Sequence, residues 1–327
     1  MFLGETISLF VALSWTVTAL FAEVGSKRMG SLPFNTVRMT MSLVFLALTL
    51  WLLMGTPYPR FADGNTWFWL LLSGLVGYVI GDYCLMQGYI HIGSRFGQLF
   101  MTLSAPTAAI TARLFLSEQM RPIAILGMVV TLSGIAMSIL AKDDATASSH
   151  KVKLKLPARG IFYASMAGIG QGIGLVISKV GLLHYEQSVL AAGLSLSEVP
   201  SEAILPLSLN ISIPFAATMI RAYIGLAGFF LALVLFNQDG LAQLNRAVHD
   251  RKAMGCVLGS TIFGPFIGVS ASLLATLYTS AGIAQTIFAL TPILIIAPSA
   301  FLFHQKVTAR EVIGAVISVV GVAMFFI

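Results

Sequence analysis

The sequence places few charged side chains inside its apolar runs, and those few are the candidates for chemistry. Asp82 is the single charged residue of GLVGYVIGDYCLMQGY, residues 74–89. A carboxylate near the centre of a membrane helix costs at least about 2.5 kcal/mol, so such a residue is a functional candidate by default. On a helical wheel Tyr78, Asp82 and Tyr89 fall within about 40° of one another, which predicts a polar stripe facing a binding cavity.

The glycines of the same run form a second stripe, centred about 90° from the first. They are Gly74, Gly77, Gly81 and Gly88. Small residues at this spacing let two helices approach closely, so the stripe predicts a helix contact and leaves the other stripe for the cavity. The alternative is that Asp82 only hydrogen-bonds a neighbouring helix.

Two arginines also lie inside apolar runs, and only one of them is predicted to have a carboxylate of the protein as a partner. Arg38 and Asp82 lie within about two turns of loops on the same side, so they are predicted to form an ion pair. Arg221 is the counterpart of Arg38 near the opposite face, where Gly268 stands close to the position that matches Asp82. An arginine without a carboxylate partner suits a substrate carboxylate or phosphate. The alternative for both arginines is that the side chain reaches the membrane surface.

Prolines interrupt two apolar runs at matching places. Pro106 and Pro292 each remove one backbone hydrogen bond, and glutamines, Gln98 and Gln285, precede them by about two turns. Matching broken helices in two halves of a membrane protein indicate a substrate site, the alternative being a packing kink without a ligand. Two further candidates for lining the cavity, one in the first helix of each half, are Trp15 and Gln171.

The composition determines the class of protein that must position these residues. Hydrophobic residues make up 57% and charged residues 10%, whereas soluble domains carry about 25% charged residues. Apolar runs long enough to cross about 30 Å of hydrocarbon recur throughout, which predicts an all-α, multi-pass integral membrane protein. The ten predicted spans are 5–25, 34–54, 66–88, 94–116, 121–141, 158–180, 214–236, 252–276, 280–303 and 307–327.

The two halves of the sequence resemble each other. Residues 126–137, LGMVVTLSGIAM, match residues 313–324, IGAVISVVGVAM, at an offset of 187. The pattern predicts two five-helix repeats, residues 1–141 and 158–327, joined by a basic linker at 142–157. Because five is an odd number, the repeats are predicted to cross the membrane in opposite senses, as in many secondary transporters.

At this point the chain resembles the drug/metabolite transporter superfamily, and within it the EamA-type transporters. The resemblance rests on YIHIGSRFGQLFMTLSAPTAAITARLFLSEQMRPIAILGMVVTLSGIAM, residues 89–137, and its weaker copy YTSAGIAQTIFALTPILIIAPSAFLFHQKVTAREVIGAVISVVGVAM, residues 278–324. Glu118 matches the acidic residue that follows the fourth helix in this family, whereas His304 and Gln305 stand there in the second copy.

Loop charges predict the orientation. One set of loops carries thirteen lysines and arginines: Lys27, Arg28, Arg95, Lys142, Lys151, Lys153, Lys155, Arg159, Arg246, Arg251, Lys252, Lys306 and Arg310. The other set carries four: Arg60, Arg113, Arg121 and Lys179. The positive-inside rule then puts both termini outside the cytoplasm, although relatives are usually drawn with both inside. The long loop predicted at 181–210 is either a surface insertion or a lid over the outer mouth.

The resemblance implies a secondary transporter, in a bacterial inner membrane, for small polar metabolites such as amino acids or their derivatives, often exported. Proton coupling through Asp82 is a further hypothesis. The alternatives are a carrier of nucleotide sugars or other phosphate-bearing or lipid-linked substrates, and a non-transporting scaffold. The stretch GIGQGIG, residues 168–174, lacks GxGxxG spacing and predicts close helix packing. The expected partners are the substrate and membrane lipids, with no cofactor, metal, nucleic acid or enzymatic reaction.

Overall fold

A computed structural model of the chain describes residues 2–146, 157–205, 207–236, 239–295, 298 and 309–326. These residues form helices and connecting turns, and no strand is present among them. The helices are α1 Leu3–Met29, α2 Ser31–Met54, α3 Gly64–Ser94, α4 Phe96–Leu116, α5 Pro122–Thr146, α6 Ala158–Ala191, α7 Leu209–Phe236, α8 Gly240–His249, α9 Arg251–Tyr278, α10 Ala281–Leu294 and α11 Ala309–Ala323.

Seven of these helices are long and apolar enough to cross a membrane, namely α1, α2, α3, α4, α6, α7 and α9. Three shorter apolar helices lie within the remaining three predicted spans, at Pro122–Met137, Ala281–Leu294 and Val312–Phe326. The all-α prediction is confirmed, but a count of ten helices is not. The additional helix is α8, where Leu241, Leu244 and Val248 recur at helical spacing in a segment that was interpreted as a loop.

The predicted loop at 181–210 is wrong over its first third, because α6 continues to Ala191. Leu182, Tyr185 and Val189 lie on one face of this extension and are fully buried, which explains why the helix continues beyond the expected span. The remaining loop packs on the end of α2, where the backbone amides of residues 204 and 205 donate to the Leu52 carbonyl. None of the described residues of this loop lines the cavity described in the next subsection.

Two helices contain π-helical segments, in which the helical turn is wider, at related positions of the two predicted repeats. A π-helical segment occupies Leu75–Asp82 in α3, and another occupies Ile262–Phe266 in α9. Both are the third apolar helix of a predicted repeat. In the second segment Gly264 has non-helical torsion angles and Pro265 follows it. Such segments are frequent at functional sites because they leave backbone groups without their usual helical partners.

Glycines bring α6 into close contact with α3. A Cβ atom on Gly174 would lie 3.0 Å from the Gly77 Cα, and one on Gly170 would lie 3.4 Å from the Gly81 Cα. On the other face of α6, a Cβ atom on Gly172 would lie 2.6 Å from the Ser104 carbonyl oxygen. The helix-packing interpretation of GIGQGIG and of the α3 glycine stripe is therefore confirmed.

The last helices of the two predicted repeats, α5 and α11, contact each other reciprocally. Thr131 Oγ1 donates to the Ser318 carbonyl at 3.4 Å, and Ser318 Oγ donates to the Thr131 carbonyl at 3.2 Å. These two residues are separated by the repeat offset of 187. A Cβ atom on Gly127 would likewise lie 2.7 Å from the Gly321 carbonyl oxygen, and one on Gly134 would lie 2.7 Å from the Gly314 carbonyl oxygen. Contacts in which equivalent residues exchange partners are typical of a two-fold axis.

Loop contacts divide into two groups that follow the predicted sides of the membrane. On the side that carries the thirteen basic residues, here called the basic face, Arg28 pairs with Asp250 at 2.8 Å. On the opposite face Arg60 pairs with Glu202 at 2.8 Å. Neither described pair joins loops assigned to different sides, so the contacts agree with the alternation of the helices along the chain.

Candidate functional site

A cavity of about 70 Å³ lies at the centre of the helices, and its walls come from both predicted halves. The three charged side chains that line it belong to α2, α3 and α7. Eight of the nine side chains predicted as substrate contacts line this one cavity: Trp15, Arg38, Asp82, Tyr89, Gln98, Gln171, Arg221 and Gln285. The other lining side chains are mostly apolar and include Leu85, Met86, Leu175, Val269 and Phe288.

Asp82 lies at the end of the π-helical segment of α3 and is paired through both carboxylate oxygens. Arg38 Nη2 contacts Oδ2 in an ion pair, and Gln171 Nε2 donates to Oδ1 at 2.8 Å. Arg38 is 2% exposed and Asp82 5% exposed, so the arginine does not reach the membrane surface. The predicted pair is therefore confirmed, and Gln171 joins α6 to it.

Each π-helical segment also exposes a carbonyl that a side chain from the other half satisfies. Gln171 Nε2 donates to the Gly77 carbonyl at 2.9 Å, and Ser14 Oγ donates to the Phe263 carbonyl at 2.7 Å. With the repeat offset of 187 Gly77 corresponds to Gly264, so the two carbonyls lie one residue apart in the two repeats. A first helix thus supports the opposite third helix in both halves, and the sequence contains no local signal for this arrangement.

Arg221 enters the same cavity from α7 but has no carboxylate partner among the described residues. It is 3% exposed, and its guanidinium carbon lies 4.8 Å from the centre of the Tyr78 ring. Its Nε is buried without a hydrogen-bond partner in the described part of the chain. The expectation that Arg221 lies near one face is wrong. Because α7 begins at Leu209, twelve residues precede Arg221 in the helix, a rise of about 18 Å.

Tyr78 is the one predicted contact residue that does not line the cavity. The prediction assumed 100° per residue, whereas Tyr78 lies inside the π-helical segment, where the turn is wider. Its ring packs against Arg221 instead. Tyr89, beyond this segment, does line the cavity, and its hydroxyl accepts from Gln98 Nε2 at 2.5 Å.

The predicted helix breaks are present, although neither proline lines the cavity. Helical structure is interrupted at residues 102–103 in α4 and at residues 289–290 in α10, positions separated by the repeat offset. Pro106 and Pro292 lie within the first turn of the segments that follow, where a missing amide is tolerated. The breaks therefore precede the prolines by two to four residues.

These breaks place equivalent polar residues on the cavity wall. Gln98 and Gln285 differ by the repeat offset, as do Ser104 and Thr291, and all four line the cavity. Ser104 Oγ lies 3.5 Å from Gln285 Oε1, and Gln285 Nε2 lies 3.4 Å from the Gln171 carbonyl oxygen. The wall is thus pseudo-symmetric in its amides and hydroxyls, but not in its carboxylate.

A cluster on the opposite face connects the two halves beside the cavity helices. Glu118 Oε1 lies 2.6 Å from Lys179 Nζ, and Glu118 Oε2 accepts from the Ala281 amide at the start of α10 at 3.0 Å. Lys179 also donates to the Thr279 carbonyl at 3.0 Å. We call these four residues the opposite-face cluster. His304 and Gln305, the counterparts of Glu118 in the second copy, lie outside the described residues.

A related cluster lies on the basic face. Glu23 lies 2.6 Å from Lys27 Nζ and accepts from the Ser94 amide at 3.0 Å, just after Gly93 turns the chain with a φ of 78°. Ser94 and Ala281 are separated by the repeat offset. Glu23 and Lys27 are 27% and 47% exposed, whereas Glu118 and Lys179 are 19% and 12% exposed. Glu23 and Lys27 lie one helical turn apart in the sequence, whereas Glu118 and Lys179 come together only after folding.

Comparisons with known proteins agree with this architecture. The profile of the EamA-like transporter family matches residues 2–140 and 207–327. No curated protein matches the chain. Among 28 matching chains of solved structures, one described only as a crystal structure of a protein is 13% identical, with a TM-score of 0.62. That alignment covers 98% of this chain and 95% of the other, and at this identity it indicates a shared fold alone.

Proposed function

The chain belongs to the EamA-like transporter family, in the drug/metabolite transporter superfamily, and we propose that it is a secondary transporter working by alternating access. It is a multi-pass membrane protein of a transporter family, which agrees with the expectation that it is not an enzyme. The observation that carries the proposal is the cavity, which holds three buried charged side chains and is walled by equivalent residues of two halves.

We infer that the two five-helix halves are inverted relative to each other. The reciprocal contacts of α5 with α11 support this arrangement, as do the π-helical segments and helix breaks at matching positions. Two pseudo-equivalent halves allow two states of similar energy, one open to each side of the membrane.

Alternating access requires that the helices around the cavity move apart. The cavity volume of about 70 Å³ is well below the roughly 300 Å³ of small ligand pockets, so a metabolite needs a wider state. The opposite-face cluster joins the two halves and is the more buried, whereas the basic-face cluster joins α1 to the end of α3 within the first half and is more exposed. Their difference in exposure supports a state held more tightly on the opposite face.

The proposed substrates are small polar metabolites that carry an anionic group. Arg221 offers guanidinium donors to a carboxylate or phosphate, and the family resemblance favours amino acids or their derivatives, moved outward. We place the protein in a bacterial inner membrane, with both termini outside the cytoplasm because of the loop charges. The substrate class, the outward direction of transport and the bacterial inner membrane are all parts of this proposal.

Proton coupling through Asp82 forms part of the same proposal. A carboxylate that shares its charge with Arg38 can exchange this partner for a proton as the helices move. The coupling predicts that a pH gradient drives accumulation and that Asp82→Asn abolishes it while leaving counterflow. Retained gradient-driven accumulation in Asp82→Asn would refute this role.

The test of transport is counterflow in proteoliposomes loaded with candidate metabolites. We expect saturable exchange that is lost in Arg221→Gln and retained in Arg113→Gln, whose arginine is exposed on α4. Absence of exchange with carboxylates, amino acids and phosphate esters, in protein that melts normally, would favour the scaffold alternative. Exchange confined to phosphate-bearing compounds would favour the nucleotide-sugar or lipid-linked alternative.

A further inference from the structure

We propose that the cavity selects a small organic monocarboxylate and discriminates against the same carbon skeleton when it carries an ammonium group. The inference rests on the proposed transport function and narrows the substrate class of the same site: among metabolites with an anionic group, it favours those without an ammonium group over the amino acids that the family resemblance favours. Its evidence is the juxtaposition of Asp82, whose two oxygens are contacted by Arg38 and Gln171, with Arg221, which forms no ion pair with a carboxylate among the described residues.

The charges of the cavity do not balance. Among the described lining residues Arg38 and Arg221 carry positive charge and Asp82 carries negative charge, which leaves one excess positive charge. An unneutralised charge in a low-dielectric interior is costly, so a bound anion of charge minus one stabilises the site. A zwitterion leaves the same excess charge in place.

The site offers an ammonium group no free carboxylate. Asp82 Oδ2 is engaged by Arg38, and Oδ1 accepts from Gln171. An ammonium ion would therefore share a carboxylate whose charge Arg38 already neutralises. Displacing Arg38 would leave two buried guanidinium groups without a carboxylate, which is a strong penalty.

The site does offer a carboxylate a preorganised donor. The Arg221 guanidinium packs over the Tyr78 ring, and its Nη2 would lie 2.9 Å from a Cβ atom on Gly77. A larger residue at this position of α3 would make the guanidinium shift from its present place. Arginine binds carboxylates through two parallel hydrogen bonds when its orientation is fixed in this way.

Part of the cavity wall suits a hydrocarbon chain. Leu175, Val269 and Phe288 line it, and together they present aliphatic and aromatic surface. A branched or aromatic chain attached to one carboxylate would remove this surface from water. Together with Arg221, this apolar surface suits a monocarboxylate that carries a hydrocarbon chain.

The test compares three compounds with closely related carbon skeletons on the purified full chain. They are isocaproate, which has the carboxylate alone, leucine, which has both groups, and isopentylamine, which has the ammonium alone. We expect isocaproate to bind at least about tenfold more tightly than leucine, and isopentylamine not to bind, by thermal shift and by tryptophan fluorescence. Isopentyl phosphate is included, and tighter binding of this compound would overturn the choice of a carboxylate.

Variants connect the binding to the proposed residue. We expect Arg221→Gln to lose isocaproate binding, Arg221→Lys to retain part of it, and Arg113→Gln to leave it unchanged. If Arg221→Gln does not fold, the comparison of the compounds on the unchanged chain still decides the question. Leucine binding as tightly as isocaproate would overturn the inference.

The tests of binding and of transport can fail independently of each other. If isocaproate binds through Arg221 but is not exchanged by proteoliposomes, the transport function is refuted and the substrate class stands. If leucine is exchanged and isocaproate is neither bound nor exchanged, transport stands and the monocarboxylate class is refuted.

Discussion

Arg38 and Arg221 are counterparts in the two halves of the chain, and both enter one cavity, yet their surroundings differ. Arg38 pairs with Asp82, whereas Arg221 packs on the Tyr78 ring and has no described carboxylate partner. Both are almost fully buried, at 2% and 3% exposure. The first arginine is therefore held by a carboxylate of the protein, whereas the second is the group that we propose binds the substrate.

The difference between the two arginines shows how a single residue makes the polar cavity of a duplicated fold asymmetric. Helix breaks, amides and hydroxyls occur in both halves, but the carboxylate occurs once. With the repeat offset of 187 the counterpart of Asp82 is Val269, and a carboxylate there would offset the positive charge of Arg221 in the same cavity. The asymmetry of a single residue thus separates a structural pair from a candidate binding group.

The largest expected effect comes from breaking the pair. Asp82→Asn leaves Arg38 buried without a counter-charge, and loss of one partner of a buried pair costs about 3–5 kcal/mol. We expect a marked drop in the melting temperature of the protein in detergent. The double variant Arg38→Gln with Asp82→Asn should recover most of the loss, because it removes both charges. If the double variant is less stable than Asp82→Asn, the pairing explanation is wrong.

The two carboxylate clusters provide the next test of asymmetry. Glu118→Gln weakens charge-assisted hydrogen bonds in a largely buried setting, at a cost of about 1.5–3 kcal/mol. Glu23→Gln weakens the matching contacts where Lys27 is 47% exposed, so we expect a smaller loss. Thermal unfolding of both variants measures the difference. Equal losses would show that exposure does not distinguish the clusters.

A smaller effect is expected from adding a carboxylate to the second half, which makes the charges of the two halves more alike. Val269→Asp adds a carboxylate to the cavity wall near the position that lacks one, and it should compete with a bound anion. We expect isocaproate affinity to fall at least about tenfold, equivalent to about 1.4 kcal/mol. Val269→Asn is the matched control for the loss of apolar surface. Equal weakening by both variants would exclude the charge as the cause.

The smallest effect is expected at the exposed pair of Arg28 with Asp250 on the basic face. The amide of Ala253 and the Arg28 guanidinium hold the pKa of Asp250 below its ordinary value of 3.8. A lowered folded-state pKa stabilises the protein above the ordinary value, and this contribution is lost as the pH falls through the lowered one. Asp250→Asn should therefore lower the melting temperature slightly at neutral pH, and the difference should vanish in acid. A difference that persists in strong acid would argue against this ionisation.

Much of the fold followed from the sequence because membrane helices need long apolar runs. All ten predicted spans coincide at least in part with described helices, and the glycine spacing of residues 168–174 predicted close packing. The ends of α6 and α7 were misplaced, because the flanking residues are polar enough to resemble loops but bury one face. These shifted ends explain why Arg221 lies deeper than its distance from the expected span indicated.

Much of the candidate site also followed from the sequence, because each buried ionisable residue needs a reason to be there. Eight of nine candidates line one cavity. The exception, Tyr78, was misplaced by a π-helical segment whose extra turn width has no signature in the sequence. The role of Gln171 as a donor to both Asp82 and the Gly77 carbonyl depends on this same segment.

The sequence by itself determined that the chain is an internally repeated membrane protein with one unrepeated intramembrane carboxylate. Composition and periodicity suffice for this, because the cost of polar groups in hydrocarbon restricts where they occur. Only the tertiary structure decided which arginine that carboxylate holds. Arg38 and Arg221 are similar in sequence context, and the positions of α2, α3 and α7 give the first a partner and leave the second without one.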